Sequence, residues 1–391
     1  MTPAARVQAA IDVLDQVLDG APAERALTRW ARSSRFAGSK DRAAVRDHVF
    51  DALRRRESAA WAGGGLTGRG LMLGVLRLQG VDPSTVFTGA GYGPAPLSVS
   101  EASSVRDPAA APEAAQHDVP AWMLPLFKEG LGKDWRAVLP LFVARAPLDL
   151  RVNTLRVDLA DAQEALALEG VETRVIDGVP TALRVTRGAR HVARSRAFAQ
   201  GLVEVQDASS QAAVLACGVT QGAQVMDYCA GGGGKALALA ALSRAPVMVH
   251  DVDAARMGDI PIRAERAGAL CPIWDGQGRF DLVFVDAPCS GSGTWRRAPD
   301  AKWRLTPDRL AELTALQAQV LNEAAQAVAP GGRLAYATCS VFADENGAQV
   351  TAFCAADPAW SVVAQHQFDP RSAGDGFFLA ILERQSGAQQ L

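Results

Sequence analysis

"VMDYCAGGGGKALALAA", residues Val225–Ala241, decides how this chain is built. A short apolar run ends in an aspartate, four consecutive glycines make a turn, and an Ala/Leu-rich helix follows. This strand, loop and helix form the opening unit of a doubly wound α/β fold. Four glycines remove every Cβ from the turn, so backbone N–H groups and the helix N-terminus can press against a ligand. The loop is neither G-x-G-x-x-G nor a P-loop: Lys235 follows Gly234, but Ala236 stands where a Mg²⁺-binding Ser or Thr would be needed. Alone, the run is equally compatible with a bare structural turn.

The next segments narrow the choice. A second strand (Val247–His250) ends beside Asp251, where an acidic residue can hold ribose hydroxyls. Trp274-Asp275 ends an expected third strand, where a carboxylate can meet an adenine amino group. With no phosphate-specific feature, an adenosine ligand lacking phosphates fits, and S-adenosyl-L-methionine is the expected cofactor. The competing reading is that these aspartates only cap helices.

A fourth strand, Phe280–Val285, opens into Asp286-Ala287-Pro288-Cys289-Ser290, and a fifth, Arg333–Ala337, into Thr338-Cys339-Ser340. Between them a helix spans Thr306 to Val328, capped by Thr306 and ended by Pro330-Gly331-Gly332. Adjacent parallel strands put their C-terminal ends side by side at the ligand-binding edge. Two Cys-Ser dipeptides 50 residues apart should therefore face one pocket beside the cofactor. A thiolate next to a methyl donor suits one acceptor in particular. C5 of a pyrimidine is too weak a nucleophile to take a methyl group until a thiolate adds to C6 and makes C5 enamine-like. Asp286 can hydrogen-bond the N3 and amino edge of the base as the adduct forms. From the residues alone, either thiol could make that attack.

The rest of the chain sets the context. At 391 residues, two or three domains are expected. A net charge of −2 gives no global sign of nucleic-acid binding. The six cysteines form no C-x-x-C pair and no zinc-ligand spacing with His, so no metal is expected and all six read as free thiols. Asp12, Asp15 and Asp19 argue against a leader, and no apolar run nears the roughly 18 residues of a membrane span. The expectation is a soluble, cytoplasmic monomer. Residues 1 to about 87 read as helices (near 7–18, 22–34, from Ser39, and 68–78). Arg25–Arg56 carries ten Arg or Lys against three Asp, either a solvated face or a phosphate-contacting surface. Residues 88–118 read as a linker. The boundaries are 1–116 helical with linker, 117–200 a small α/β module, and 201–391 the catalytic domain.

The chain resembles the Sun-type RNA cytosine-C5 methyltransferases, most closely the RsmB-like enzymes of 16S ribosomal RNA. The match rests on "LRVNTLR" (150–156), "VQDASSQ" (205–211), "DYCAGGGGK" (227–235), "HDVD" (250–253), "DAPCSGSGTWRRAPDAKW" (286–303), "YATCSVFADEN" (336–346) and "DGFFLA" (375–380). "GSKDRAAVRDHVFDALRRR" (38–56) looks like part of a NusB-type RNA-binding domain. The resemblance implies a Rossmann-like domain with a seven-stranded, mostly parallel sheet, preceded by the small α/β module and an all-helical NusB-like domain. It also implies Cys339 as the nucleophile, with Cys289 assisting product release and Asp286 as a further catalytic group. Cofactor contacts are implied for Cys229, Ala230, Gly231, Gly232, Gly233, Gly234, Lys235, Asp251, Asp275 and Asp286. Candidate RNA contacts are Arg296, Arg297, Lys302 and Arg304, with Lys40, Arg42 and Arg46. Where the family usually has Pro and Thr in the loop, this chain has Gly232 and Ala236. Two alternatives stay open: a DNA cytosine-C5 methyltransferase, in which the Pro-Cys thiol attacks, and a non-catalytic RNA-binding assembly factor.

Overall fold

The computed structural model describes residues 1–371 and 373–385. The chain divides into two compact units. One comprises Met1–Lys128, Gly132–Arg145 and Trp295–Arg304; the other comprises Glu129–Leu131, Ala146–Thr294 and Leu305–Leu391.

The second unit holds two sheets. The smaller contains β1 (Asp149–Val152), β2 (Glu172–Val175), β3 (Ala182–Arg187) and β4 (Val203–Val205), in the order β2-β3-β1-β4 and antiparallel throughout. Leu150, Val152, Leu183 and Val203 bury one of its faces against Ala162 and Leu166 of the Leu159–Leu168 helix. The expected module boundary at residue 200 is too early, because β4 pairs with β1 from Leu150↔Val205 to Val152↔Val203.

The larger sheet contains β5 (Val225–Asp227), β6 (Val247–Val249), β7 (Phe280–Asp286), β8 (Val328–Thr338), β9 (Trp360–Phe368) and β10 (Phe377–Arg384), in the order β6-β5-β7-β8-β10-β9. β6, β5, β7 and β8 run parallel, while β10 is antiparallel to both of its neighbours. Both faces are covered, so the inner strands read as continuous apolar runs. Leu282, Phe284, Ala335 and Ala337 face a cluster with Leu237, Ile260 and Ala264. Val283, Val285, Leu334 and Tyr336 face one with Val320, Leu321 and Phe353.

Six strands stand where seven were expected. The missing third strand survives as an isolated parallel bridge, Val249↔Ile273. The segment does follow β6, since Leu270 and Pro272 accept from Val247 and Val249 while Trp274 donates to Val249. Pro272 has no N–H to return a bond between them, so the ladder is never continuous. A second difference lies at Pro330-Gly331-Gly332. The helix already ends at Ala325, and these residues sit inside β8, where its register against β7 shifts between Phe280↔Val328 and Leu282↔Arg333.

The first unit is helical. Its principal helices are Pro3–Leu18, Ala23–Ser33, Ser39–Arg54, Arg56–Gly63 and Gly68–Leu78. Val13, Leu14, Val45, Val49, Leu53, Leu71 and Leu73 form their common core. Arg56–Gly63, absent from the sequence reading, lies against Gly68–Leu78 at backbone distance: a Cβ on Gly74 would come 1.9 Å from the Ala59 carbonyl oxygen. The supposed linker contains short helices at Val99–Ser103 and Glu113–Gln116. Among the described residues, no helix is long and apolar enough to cross a membrane.

Candidate functional site

Strand order reverses around β5: the chain goes to β6 on one side and to β7 and β8 on the other. In such sheets the crevice outside the carboxyl ends at this switch point is where ligands bind. Asp227, Asp286 and Thr338 end β5, β7 and β8, and the register sets Asp227 opposite Phe284 and Asp286 opposite Ala337.

At the end of β5, Gly233 adopts φ +80° and begins the Gly234–Ser243 helix; Gly231 has φ +49°. Both are left-handed conformations that suit glycine. Asp251 reaches across from beyond β6, its Oδ2 accepting the Gly231 N–H at 2.9 Å and Arg256 lying 3.2 Å away. Arg263 bonds both the Gly232 carbonyl and Glu204. Beneath the loop Asp227 is fully buried, with the Ala236 N–H toward its carboxylate. Burial raises its pKa to about 7, although Lys235 pulls it down. Burial, together with the nearby aspartates, also raises the Cys229 thiol. Asp275 is exposed and caps its own turn by accepting the Gln277 N–H.

Lys235 ties this loop to the next strand end, its ammonium 2.6 Å from Asp286 Oδ2. Burial opposes the Lys235 charge, yet Asp286 outweighs it and raises the lysine pKa; Cys339 acts in the same direction. Beyond Asp286, the sulfurs of Cys289 and Cys339 lie 3.4 Å apart. The Cys289 thiol is raised well above its ordinary value, first by its hydrogen bond with Cys339 and then by burial.

Cys289, Cys339, Asp286 and Lys235 thus converge as the sequence suggested. The proposed RNA contacts separate. In the first unit, Arg296 and Lys302 are buried, at 6% and 5% exposure. Arg296 presents its carbonyl to Arg54 Nε, and the Lys302 ammonium donates to the carbonyls of Arg54 and Asp118. These two are corrected from phosphate contacts to internal supports, because a buried head group cannot reach a polyanion. Arg297, Arg304, Lys40, Arg42 and Arg46 are exposed. Arg304 pairs with Asp300 at 3.3 Å, Arg46 with Glu24, and Arg42 donates to the Ala37 carbonyl. No three His, Cys, Asp or Glu side chains among the described residues cluster to hold a metal ion.

The sequence reading also missed a buried acid. Glu345 lies inside the quoted "YATCSVFADEN", and its carboxylate joins the serines that follow both cysteines. The signal was an acid six residues past Cys339; nothing in its spacing revealed a partner 55 residues upstream.

Comparison with known proteins agrees with this geometry. The family described as 16S rRNA methyltransferase RsmB/F matches residues 214–385, and an RsmF/B-like ferredoxin-like domain matches residues 119–191. The ribosomal RNA small subunit methyltransferase B of Klebsiella pneumoniae is 33% identical over 282 residues, covering 67% of this chain and 65% of that protein. Its namesake from Vibrio cholerae is 33% identical over 294 residues, covering 70% and 67%. The aligned region therefore spans about two thirds of these relatives. The crystal structure of PH0851 has the same fold, with TM-score 0.76 at 23% identity, covering 98% of this chain and 99% of its own. Motifs, sheet topology and relatives agree: the chain belongs to the RsmB/F methyltransferase family.

Proposed function

We propose that this protein transfers a methyl group from S-adenosyl-L-methionine to C5 of a cytosine in RNA, with 16S ribosomal RNA as substrate and Cys339 as nucleophile. The observation that carries the reading is the pair of thiols 3.4 Å apart at the ends of two adjacent parallel strands, next to the Lys235–Asp286 pair. Methylation of an amine or hydroxyl has no use for two thiols; a pyrimidine C5 does. The Cys289 thiol is raised by its contact with Cys339 and by burial, which disfavours its thiolate and supports Cys339 as the attacking sulfur.

The loop fits an adenosine cofactor. A Cβ at Gly233 would come 2.9 Å from Ile260 Cγ1 and one at Gly231 3.2 Å from Arg256 Nη2, so the turn depends on bare backbone. Residues 229–235 would hold the cofactor, with Asp251 and Asp275 toward its ribose and adenine. When bound, S-adenosylmethionine supplies an electrophilic methyl group.

The chain's own residues do the rest. Asp286, oriented by Lys235, takes the N3 and amino edge of the base and offsets charge as it shifts. The Cys339 sulfur forms a bond to C6, and the electron pair of the C5–C6 double bond moves to C5. After C5 has gained its methyl group, solvent water takes the C5 proton, the C5–H electron pair re-forms the C5–C6 double bond, and the C6–sulfur pair leaves with Cys339 as thiolate. Cys289 assists this release. The target cytosine must be unstacked to enter the pocket. Arg297, Arg304, Lys40, Arg42 and Arg46 are the exposed cations for RNA phosphates.

Bisulfite mapping of ribosomal and transfer RNA, from cells with and without the gene, tests this reading. One 16S cytosine should lose its 5-methyl signal in the deletion strain. Unchanged 5-methylcytosine at every position would sink it.

A further inference from the structure

The group that sets the geometry of the two thiols lies under them. Glu345 is fully buried, a costly position for a carboxylate unless its oxygens are satisfied. Oε1 accepts the Ser290 N–H at 2.7 Å and the Gln317 amide at 3.1 Å. Oε2 accepts the hydroxyls of Ser290 and Ser340, each at 2.5 Å. Ser290 follows Cys289 and Ser340 follows Cys339, so one carboxylate holds the residues beside both sulfurs. Its own position is built in. The Tyr336 hydroxyl donates to the Glu345 carbonyl at 2.7 Å, and Thr338 donates to Asn346 Oδ1 at 2.5 Å, while the Asn346 amide donates to the Ser340 carbonyl at 3.0 Å. Gln317 also donates to the Pro288 carbonyl at 2.9 Å, and the Ser292 hydroxyl lies 2.8 Å from that of Ser340. Neither loop belongs to a helix or strand at its cysteine; besides Glu345, the loops are joined by the Gly293 N–H to the Cys339 carbonyl at 3.0 Å and the Val341 N–H to the Ser292 hydroxyl at 2.9 Å.

We propose that Glu345 is a positioning residue: its carboxylate clamps the Cys289 and Cys339 loops together. This rests on the thiol chemistry proposed above and adds a residue to it. The negative charge of Glu345 acts on Cys289 in the expected direction, behind the sulfur contact and burial. A carboxylate is suited to the position because it accepts from four donors at once and has no proton of its own to offer.

The test uses the full chain and two readouts. Alkylation by iodoacetamide, followed at the Cys289 peptide by mass spectrometry across pH, reports where that thiol ionises without requiring methyl transfer. Glu345→Gln should lower the alkylation midpoint, because a charge that raises the Cys289 thiol is gone. Its kcat for RNA methylation should fall about tenfold to a hundredfold, with KM for RNA and for S-adenosylmethionine within about twofold of the parent. Glu345→Asp keeps the charge but is too short to span both serines; it should lose kcat while leaving the midpoint in place. An unmoved midpoint in Glu345→Gln, or a kcat within twofold of the parent, overturns the proposal. If circular dichroism shows that Glu345→Gln does not fold, Ser290→Ala and Ser340→Ala replace it. Each should lower kcat about threefold to tenfold at unchanged KM, and unchanged kcat in both overturns the proposal. The alkylation arm still reports if the substrate is something other than RNA cytosine, so the two readings fail separately.

Discussion

Two lysines, the half-buried Lys235 and the buried Lys302, one in each unit, are held in opposite ways. Lys235 meets a carboxylate, Asp286, and its pKa rises even though burial works against the charge. Lys302 meets two backbone carbonyls and the face of Trp303, 4.5 Å from its ring, and burial lowers its pKa to about 8. A carboxylate at hydrogen-bond distance replaces the solvation that an ammonium loses; carbonyl dipoles, a ring face and the charges of Asp118 and Glu57 do not make up for it at Lys302. Lys235 therefore belongs to a charged, preorganised site, whereas Lys302 is an internal support that tolerates losing its proton. The contrast extends to the neighbours. In the second unit, Asp286 ends β7, Cys289 and Cys339 lie on the loops after β7 and β8, and Glu345 ends a short 3-10 turn. In the helical unit, Trp303 donates to the Leu53 carbonyl at 2.7 Å and Arg56 lies over its ring, contacts that pack rather than react.

The sharpest way to break the comparison is to remove the sulfurs. Cys339→Ala should lose methyl transfer by at least about a thousandfold, since no other group can add to C6. It should also trap no covalent protein–RNA species on denaturing gels. Cys289→Ala should accumulate that species, because attack survives and release does not. Adduct from Cys339→Ala and none from Cys289→Ala would show the two roles to be exchanged.

The ion pair comes next. Asp286→Asn keeps the shape but removes the charge that faces both Lys235 and the base. Its kcat/KM should fall on the order of a hundredfold, with circular dichroism and cofactor titration showing a folded chain. Lys235→Met should lose activity to a similar degree, and the double variant should lose little more than either single one, because the two groups act as a unit. Fully additive losses would mean that the pair works as two separate contacts.

Much of the catalytic half was legible in the sequence because its signals are local. "VMDYCAGGGGK" and "VDAPCS" are strand ends running into loops, and a parallel sheet brings such ends together without any further information. What failed was what depends on burial. Arg296 and Lys302 looked like phosphate contacts because four cations stand within nine residues, but the sequence does not reveal which heads a fold will cover. Glu345 was hidden for the same reason: its partners on the Cys289 loop lie 55 residues away in sequence. The third strand of the larger sheet was over-read, because Cys271-Pro272-Ile273 has strand character and only the missing Pro272 donor keeps it from pairing. The Arg56–Gly63 helix was not read from the sequence; Gly63 and Gly74 are where two helix backbones approach.

The smallest effect tests the Lys302 side of the comparison, and its sign follows from linkage. In the unfolded chain the ammonium keeps its ordinary pKa of 10.5; in the fold it loses its proton near pH 8. Below pH 8 both states are protonated, and the fold bears the full penalty of a buried charge. Between about 8 and 10.5 the unfolded state binds more protons than the folded one, so stability rises with pH over that window. Many other groups titrate there, so the quantity to follow is the difference between the parent and Lys302→Met in urea unfolding. That difference should move in the parent's favour by about 2–3 kcal/mol from the lower to the upper end of the window. Lys235→Met offers the control, since a lysine whose folded pKa is raised holds its proton longer in the fold than in the unfolded chain. Its difference from the parent should stay flat where that of Lys302→Met climbs, and turn the other way only above the ordinary lysine value. Parallel curves for the two variants would mean that both lysines are solvated alike and that the contrast between the two units is not electrostatic.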